Sequence, residues 1–474
     1  MNPSVANLIY AIGIAGLFYL NRDNSARTSR ALWLPVIYLW ILGSRPVSFW
    51  LGAAPPSPGE AAPDSPIDAV FFGILLIVGL CVLVRRGQRV RNFLRANGPI
   101  LIYFLYCLLS VLWSDYPGVA CKRWIKAIGD LVMILIVLTD KQPVAALSRL
   151  FSRTGFILLP LSALAIKYYP YFGRQYDPWT GRQMFNGLAL NKNMLGVITY
   201  LLLLGAIWRV LGLLRSGEPR RHRGKKLLAQ ATLLTVGIYL LSVSNSVTST
   251  VSFAVGTGLL LATNLRFIRR HTAAVHALVL LLVVGFSSIM LLGNSASAVR
   301  ALGRAPTMSG RTDIWAALIP MASNPLVGAG FESFWLNRSV VERLADATGG
   351  QHLNEAHDGY LEVYLELGWV GVALIAFILI DGYRRSVAAF RRDPGWGGLL
   401  VAYVVSAIIY NVSEAGFRMM DPLWIFLLLA VVASGGIASG VVAESSKPHN
   451  AGAKPVRRLA PNEWVAAREG VRNN

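Results

Sequence analysis

The chain has 474 residues, 54% of them hydrophobic and only 15% charged, and it carries a net charge of +21. A soluble domain of this size is about 25% charged, so the composition points away from a soluble globular enzyme. The positive charge does not indicate nucleic acid, because the basic residues cluster in short intervals between apolar runs, where the positive-inside rule expects them.

In chain order, apolar runs of bilayer length lie near 4–20, 31–50, 67–84, 99–113, 124–140, 154–170, 192–214, 227–243, 247–264, 272–293, 363–381, 397–411 and 422–442. They predict an all-α polytopic membrane protein with about 12–13 transmembrane helices. The first run has no positive flank or small-residue cleavage site and reads as a retained helix, not a signal peptide. Residues 44–66 are Pro-rich, with few cations, and read as a non-cytoplasmic loop. Arg85 to Arg91, Arg220 to Lys226, Arg266 with Arg269 and Arg270, and Arg384 to Arg392 fall on one side if the helices alternate. That side is expected to be cytoplasmic, and these clusters read as topology signals. Cys81, Cys107 and Cys121 form neither a metal-ligand spacing nor a disulfide framework. No internal repeat is evident, which weakens an inverted-repeat transporter. The expected organisation is an N-terminal bundle of about ten helices over 1–293, a non-cytoplasmic loop over 294–362, C-terminal helices over 363–442 and a disordered basic cytoplasmic tail over 443–474.

The 294–362 interval is the longest non-apolar stretch, and it is not low-complexity. It holds Trp315, Phe331, Phe334 and Trp335 among turn residues, enough to fold on the membrane surface. Residues 314–319 read as a short amphipathic helix and Asn324 to Gly330 as a turn. Long ordered loops tend to be functional. His357 opens the stretch that runs from this loop into an apolar helix, and Arg311 lies about 46 residues upstream in the same loop. Imidazole at such a mouth can meet both water and a lipid-borne substrate, and it titrates near neutral pH. His352 is an alternative base. Glu362 and Glu366 share a helix face, free either to position an acceptor or to pair with an arginine. Tyr360 and Tyr364 could stack on sugars or serve as ordinary interfacial aromatics.

Some cations fall on the outer side. Lys122, Arg123 and Lys126 begin one helix there, and Lys167, Arg174, Arg182 and Lys192 populate another outer interval. Singly, each fits snorkelling to lipid phosphates. As a set sharing one face with Arg311, they also fit a cationic cavity for an anionic substrate, diphosphate being the natural guess.

The pattern His357-Asp358, nine residues, Gly368, two residues, Gly371 resembles the histidine motif of the O-antigen ligase and polymerase superfamily. Asp358 stands where that family usually carries Asn, Ser or Gln. Gly310-Arg311-Thr312-Asp313-Ile314-Trp315, followed by Asn324-Pro325 and Gly328 to Phe331, is similar to the Gly-Arg motif of the same loop. Trp113 to Pro117 with Lys122 to Lys126, Asn186 to Gly196, and Asn411 to Glu414 resemble further family segments. So does the Ser-rich turn at 241–249, where Asn245 replaces a common arginine. The matches span about 110 to 420.

The resemblance implies a GT-C-like glycosyltransferase of the bacterial inner membrane with its active site facing the periplasm. It implies transfer of a glycan from undecaprenyl diphosphate to a glycan or lipid A core acceptor, by inversion, with neither metal nor cofactor. Membrane lipids and other polysaccharide-assembly proteins are the further partners expected; nucleic acid is not. His357 would be the general base and Arg311 the diphosphate clamp. Arg123, Lys126, Arg182, Lys192, Tyr360 and Glu362 would contact substrate. The softer motifs lean towards a polymerase rather than a ligase. The reading from another class is a transporter or flippase of lipid-linked oligosaccharides.

Overall fold

A computed structural model describes residues 2–23, 26–53, 65–176, 181–292, 309–348 and 353–440. Residues 294–308, His352 and the basic tail over 443–474 lie outside the described residues. The chain is an all-α polytopic membrane protein. Its helices are α1 (Pro3–Leu20), α2 (Trp33–Leu42), α3 (Val47–Trp50), α4 (Pro66–Arg85), α5 (Gly87–Ala96), α6 (Gly98–Leu109), α7 (Pro117–Leu138), α8 (Pro143–Tyr168), α9 (Pro170–Gly173), α10 (Lys192–Arg215), α11 (Arg220–Ser244), α12 (Val247–Ala262), α13 (Arg266–Arg270), α14 (Thr272–Leu292), α15 (Ser309–Leu318), α16 (Arg338–Ala347), α17 (Gly359–Arg392), α18 (Pro394–Tyr410) and α19 (Pro422–Ala438). One antiparallel hairpin pairs Arg174 with Phe185 and Tyr176 with Gln183.

Local chemistry sets many of these boundaries. Proline opens α4, α7, α8, α18 and α19, where its missing N–H costs nothing. Side chains of Ser65, Asn191, Ser246, Asp358, Asp393 and Asp421 accept first-turn amides. The apolar runs fall largely on helix, but among the described residues six helices are long and apolar enough to cross a membrane: α1, α4, α8, α10, α11 and α17. Several runs fall short for identifiable reasons. The 31–50 run breaks at Gly43–Pro46. The 99–113 run follows α5 through an 87° bend. Lys122, Arg123, Lys126 and Asp130 make α7 too charged despite its 22 residues.

Nearly every residue of α18 and α19 is buried. They form the centre of the bundle, packed by α10, α12 and α17. A helix apolar all round belongs in such a position. On α4, by contrast, Val70, Ile74, Ile77 and Val84 are exposed, as on a lipid-facing helix.

The described part of the loop before α17 is folded, with a helix over Ser309–Leu318 in place of the expected 314–319. Within its described part, Ile314 and Leu318 of α15, Phe334, Val340 and Leu344 of α16 bury one core, and Leu365 of α17 completes it. The expected turn at 324–330 is present and locks onto α17. Gly368 has φ 63° and ψ −166°, which opens that helix in its course. The freed groups are taken up by the turn: Leu365 and Glu366 carbonyls accept from Ala329 (3.1 Å) and Gly330 (2.8 Å), and Trp369 donates to Pro325 (2.9 Å). A Cβ on Gly368 would lie 2.3 Å from the Leu326 backbone, and one on Gly328 2.3 Å from that of Glu366. The two glycines allow two backbones to meet without side chains between them.

Gly368→Ala therefore combines a left-handed backbone with a main-chain clash. It is expected to destabilise the protein by about 1–3 kcal/mol or more, read as a lower midpoint in thermal unfolding of the detergent-solubilised protein.

Candidate active site

The end of the bundle where α7, α12, α17 and α19 begin and α18 ends gathers most of the buried charge among the described residues. Asp358 is the N-cap of α17, accepting from Tyr360 N at 2.8 Å and Leu361 N at 2.9 Å. Asn or Ser could accept the same amides, which accounts for the residue found after His357. Burial raises the Asp358 carboxyl to about 6, against the opposing pull of those two amides. Gly359 N donates to the Asn411 carbonyl at 2.8 Å, and a Cβ on Gly359 would sit 2.0 Å from the Asn411 side chain. Asn411 thus stitches the end of α18 to the start of α17.

This stitching brings His357 to the 411–421 segment. Its Nδ1 lies 2.9 Å from Glu355 Oε1 and 3.4 Å from Glu414 Oε2. The other Glu414 oxygen is 2.9 Å from Arg311, whose guanidinium also donates to the Ser413 carbonyl. Asn193, second residue of α10, donates to Glu414 at 3.3 Å. Thr248, second residue of α12 at the end of the Ser-rich segment, bonds the Ser413 hydroxyl at 2.9 Å. Between α11 and α12, Asn245 adopts φ 51°, a left-handed helix end that Asn tolerates well.

A second group adjoins the first through Arg418. Its guanidinium lies 3.4 Å from Glu355 and 3.9 Å from Glu362. Burial opposes its charge, but Glu332, Glu362, Glu355 and Glu366 around it raise its proton affinity further. Glu362 accepts from Trp335 Nε1 at 2.6 Å and Ala356 N at 2.9 Å. Glu366 accepts from Glu332 N at 2.8 Å, and the Glu332 carbonyl accepts from Arg123. Glu362 thus faces an arginine, while Glu366 is held by a backbone amide.

Three non-glycine residues here have left-handed backbones: His357 (φ 51°), Glu332 (φ 51°) and Met420 (φ 60°). Such strain costs of order 1–3 kcal/mol per residue and concentrates at functional sites.

The structure brings together His357, Arg311 and Glu362 with Glu355, Glu414 and Arg418. Tyr360 is beside them, its hydroxyl on the Ile408 carbonyl (3.1 Å) and its ring 5.3 Å from Phe417, so it is engaged in packing. Arg123 reaches the Glu332 side. Lys126 lines a cavity of about 410 Å³ between α4 and α7, with Lys122, Tyr38, Phe72, Met133 and Met420. Lys192 opens α10 next to Asn193. Arg182 is exposed beside the hairpin and outside the cluster. Glu355, Arg418 and the pairing role of Glu414 were not legible in advance. The available signal was three charged residues, Glu414, Arg418 and Asp421, in a short segment between two apolar runs.

Two departures from expectation concern chemistry. The sequence shows no cluster of metal-ligand spacing, but Glu355, His357 and Glu414 bring ligand atoms within 4.8 Å of one another. Glu414 is distant in sequence, and Arg311 and Arg418 already pair with its carboxylate and that of Glu355. Nor does His357 titrate near neutrality. Burial pulls its affinity down, but hydrogen bonds and charge from Glu355 and Glu414 prevail and push it up to about 10. Glu355 moves the opposite way: burial raises its pKa, and His357, Arg418 and Arg311 together bring it below the ordinary value. With two carboxylates on Nδ1, that nitrogen carries a proton and Nε2 points away from the pair.

The structure thus gathers cationic groups and one imidazole at the mouth of a multi-pass membrane bundle. Residues 231–376 match the family model described as O-Antigen ligase. The segment runs from α11 through Arg311 and His357 into α17, and it supports the O-antigen ligase/polymerase superfamily and a glycosyltransferase-like activity of that type. No curated protein matches the chain.

The raised affinity of His357 has a sign for stability. The folded state holds the proton more tightly than the unfolded chain, so this contribution is complete below about pH 6.5 and is lost as pH rises through about 10. The thermal midpoint of the wild type should exceed that of His357→Gln most at pH 6, and the gap should close towards pH 10.

Proposed function

We propose that the chain is an inner-membrane glycosyltransferase that passes a glycan from undecaprenyl diphosphate to a glycan acceptor, as a polysaccharide polymerase or O-antigen ligase. The observation that carries the proposal is the pairing of His357 and Arg311, both inside the matched segment, through one buried carboxylate, Glu414, from outside it. Facing the periplasm, the mouth would receive the donor from the membrane and the acceptor from water. The apolar cavity between α4 and α7 suits the prenyl chain, with Lys122 and Lys126 at its rim and Met420 connecting it to the cluster.

In the reaction, the acceptor oxygen forms a bond to the anomeric carbon while the bond from that carbon to the diphosphate oxygen breaks. The acceptor proton passes to His357 Nε2, whose ring is oriented through Nδ1 by carboxylates, the logic by which a triad fixes its histidine. The electron pair leaves with the lipid diphosphate, where Arg311 meets the charge. Displacement from the opposite face inverts the anomeric centre. Arg123, through the Glu332 carbonyl, and Lys192, beside Asn193, border this centre.

A base held near 10 is strong but scarce: at pH 7 roughly one site in a thousand is deprotonated. Transfer from undecaprenyl diphosphate-linked glycan should therefore rise about tenfold per pH unit between 7 and 9. A rate that is flat there and falls above pH 9 would favour a second reading suggested by the same titration, in which His357 is an imidazolium contacting the diphosphate. His357→Ala should lower transfer by about 10²–10⁴-fold. Full activity of that variant would sink both roles. EDTA should leave the rate unchanged; loss of activity reversed by a divalent cation would assign the Glu355–His357–Glu414 cluster to a metal. Glycan translocation without transfer would favour a flippase.

A further inference from the structure

The opposite end of the bundle holds a second charged cavity that the transfer reaction does not use. Helix α7 begins at the active-site mouth, and its 22 residues rise about 33 Å, so its far end lies at the opposite end of the bundle. There the segment before α2, the junction of α4 and α5, and the turn between α7 and α8 enclose a basin of about 690 Å³. Its walls carry Arg27, Arg85, Arg86, Arg89 and Lys141 against one acid, Asp140.

The basin is built rather than a chance gathering of loop charges. Arg149 fixes one wall through the carbonyls of Asp23 (2.8 Å) and Ala26 (2.6 Å). Asp140 accepts from Ser29 N at 2.9 Å and faces Arg86 at 3.8 Å. Arg86 also donates to the Ile136 carbonyl at 2.7 Å and to Thr139 at 3.1 Å. Among the described residues, no carboxylate lies within ion-pair distance of Arg27, Arg85, Arg89 or Lys141. Topology alone requires basic residues on this face, but not their convergence on one hollow.

Two further features say what kind of anion fits. Helix α5 turns 87° from α6, and so lies across the bundle end. Phe93 faces inward against Gly436, whose added Cβ would sit 2.3 Å from the ring, while Arg91 and Arg95 are exposed. An amphipathic helix set crosswise to an apolar one, with its charged side chains outward, suits the headgroup level of a bilayer. The exposed face of α4 then leads from the hydrocarbon to the basin, with Val84 78% exposed beside Arg85. We infer that this basin binds the phosphodiester headgroup of an anionic phospholipid, with the acyl chains lying along α4.

The test uses the purified full chain in detergent, titrated with phosphatidylglycerol, phosphatidylcholine or inorganic phosphate, with the thermal midpoint as readout. Phosphatidylglycerol should raise the midpoint at concentrations where phosphatidylcholine does not. Arg85→Gln with Lys141→Gln should require roughly 25-fold more of it, the ordinary worth of two basic residues at an anionic surface. If that double variant does not fold, Arg85→Gln alone should require roughly fivefold more. Arg220→Gln with Arg221→Gln, on exposed positions of α11, should behave as wild type. An equal loss in the α11 variant, or no difference between the two lipids, would overturn the proposal. A rise with inorganic phosphate equal to that with phosphatidylglycerol would make the ligand a soluble phosphate and overturn the lipid assignment.

Discussion

Arg418 is the charge on which the mouth of this protein depends. Four glutamates, Glu332, Glu355, Glu362 and Glu366, face one guanidinium on a short segment between the two most buried helices. Taken singly, each carboxylate would be costly in such surroundings. Together they are tolerable because a delocalised cation stands among them and backbone amides complete the hydrogen bonding. The cluster ties three distant parts of the chain to one point: the folded loop, the outer turns of α17, and the segment before α19. His357 and Arg311 take their positions from its edge, through Glu355 and Glu414.

This arrangement explains what could and could not be seen in the sequence. The helices are legible because lipid demands long apolar runs and prolines punctuate them. The folded character of the 294–362 interval is legible in its described part because aromatic residues and turn signals alternate there. His357, Arg311 and the two glycines after them stand out by motif. Glu355 and Arg418 do not, because a carboxylate or guanidinium in a loop looks the same in sequence whether it is solvated or enclosed. Only the fold brings residue 414 to residue 357. The proton affinity of His357 follows the same logic. The identity of the residue gives the ordinary value, but two carboxylates on one nitrogen move it, and neither carboxylate announces its partner.

Asp358 and Asn245 are the instructive departures from family pattern. Each sits at a helix end and meets a backbone requirement that several small polar residues can satisfy: Asp358 accepts first-turn amides, and Asn245 adopts a left-handed turn. Substitution among such residues at these places leaves the geometry of the neighbouring side chains in place. At Gly359, Gly328 and Gly368 the opposite holds, because backbone or a buried side chain already occupies the space a Cβ would need.

The break at Gly368 also separates two mechanical environments. The outer turns of α17 share a core with the loop through Leu365, while the inner turns pack in the bundle. A spanning helix answers a change in bilayer thickness by tilting. In an unbroken helix that tilt would swing the N-terminus, and His357 with it. Here the 325–330 turn is bonded to backbone groups on both sides of Gly368, from Leu365 and Glu366 to Trp369 and Val370, so a tilt of the inner turns would carry the folded loop and His357 together.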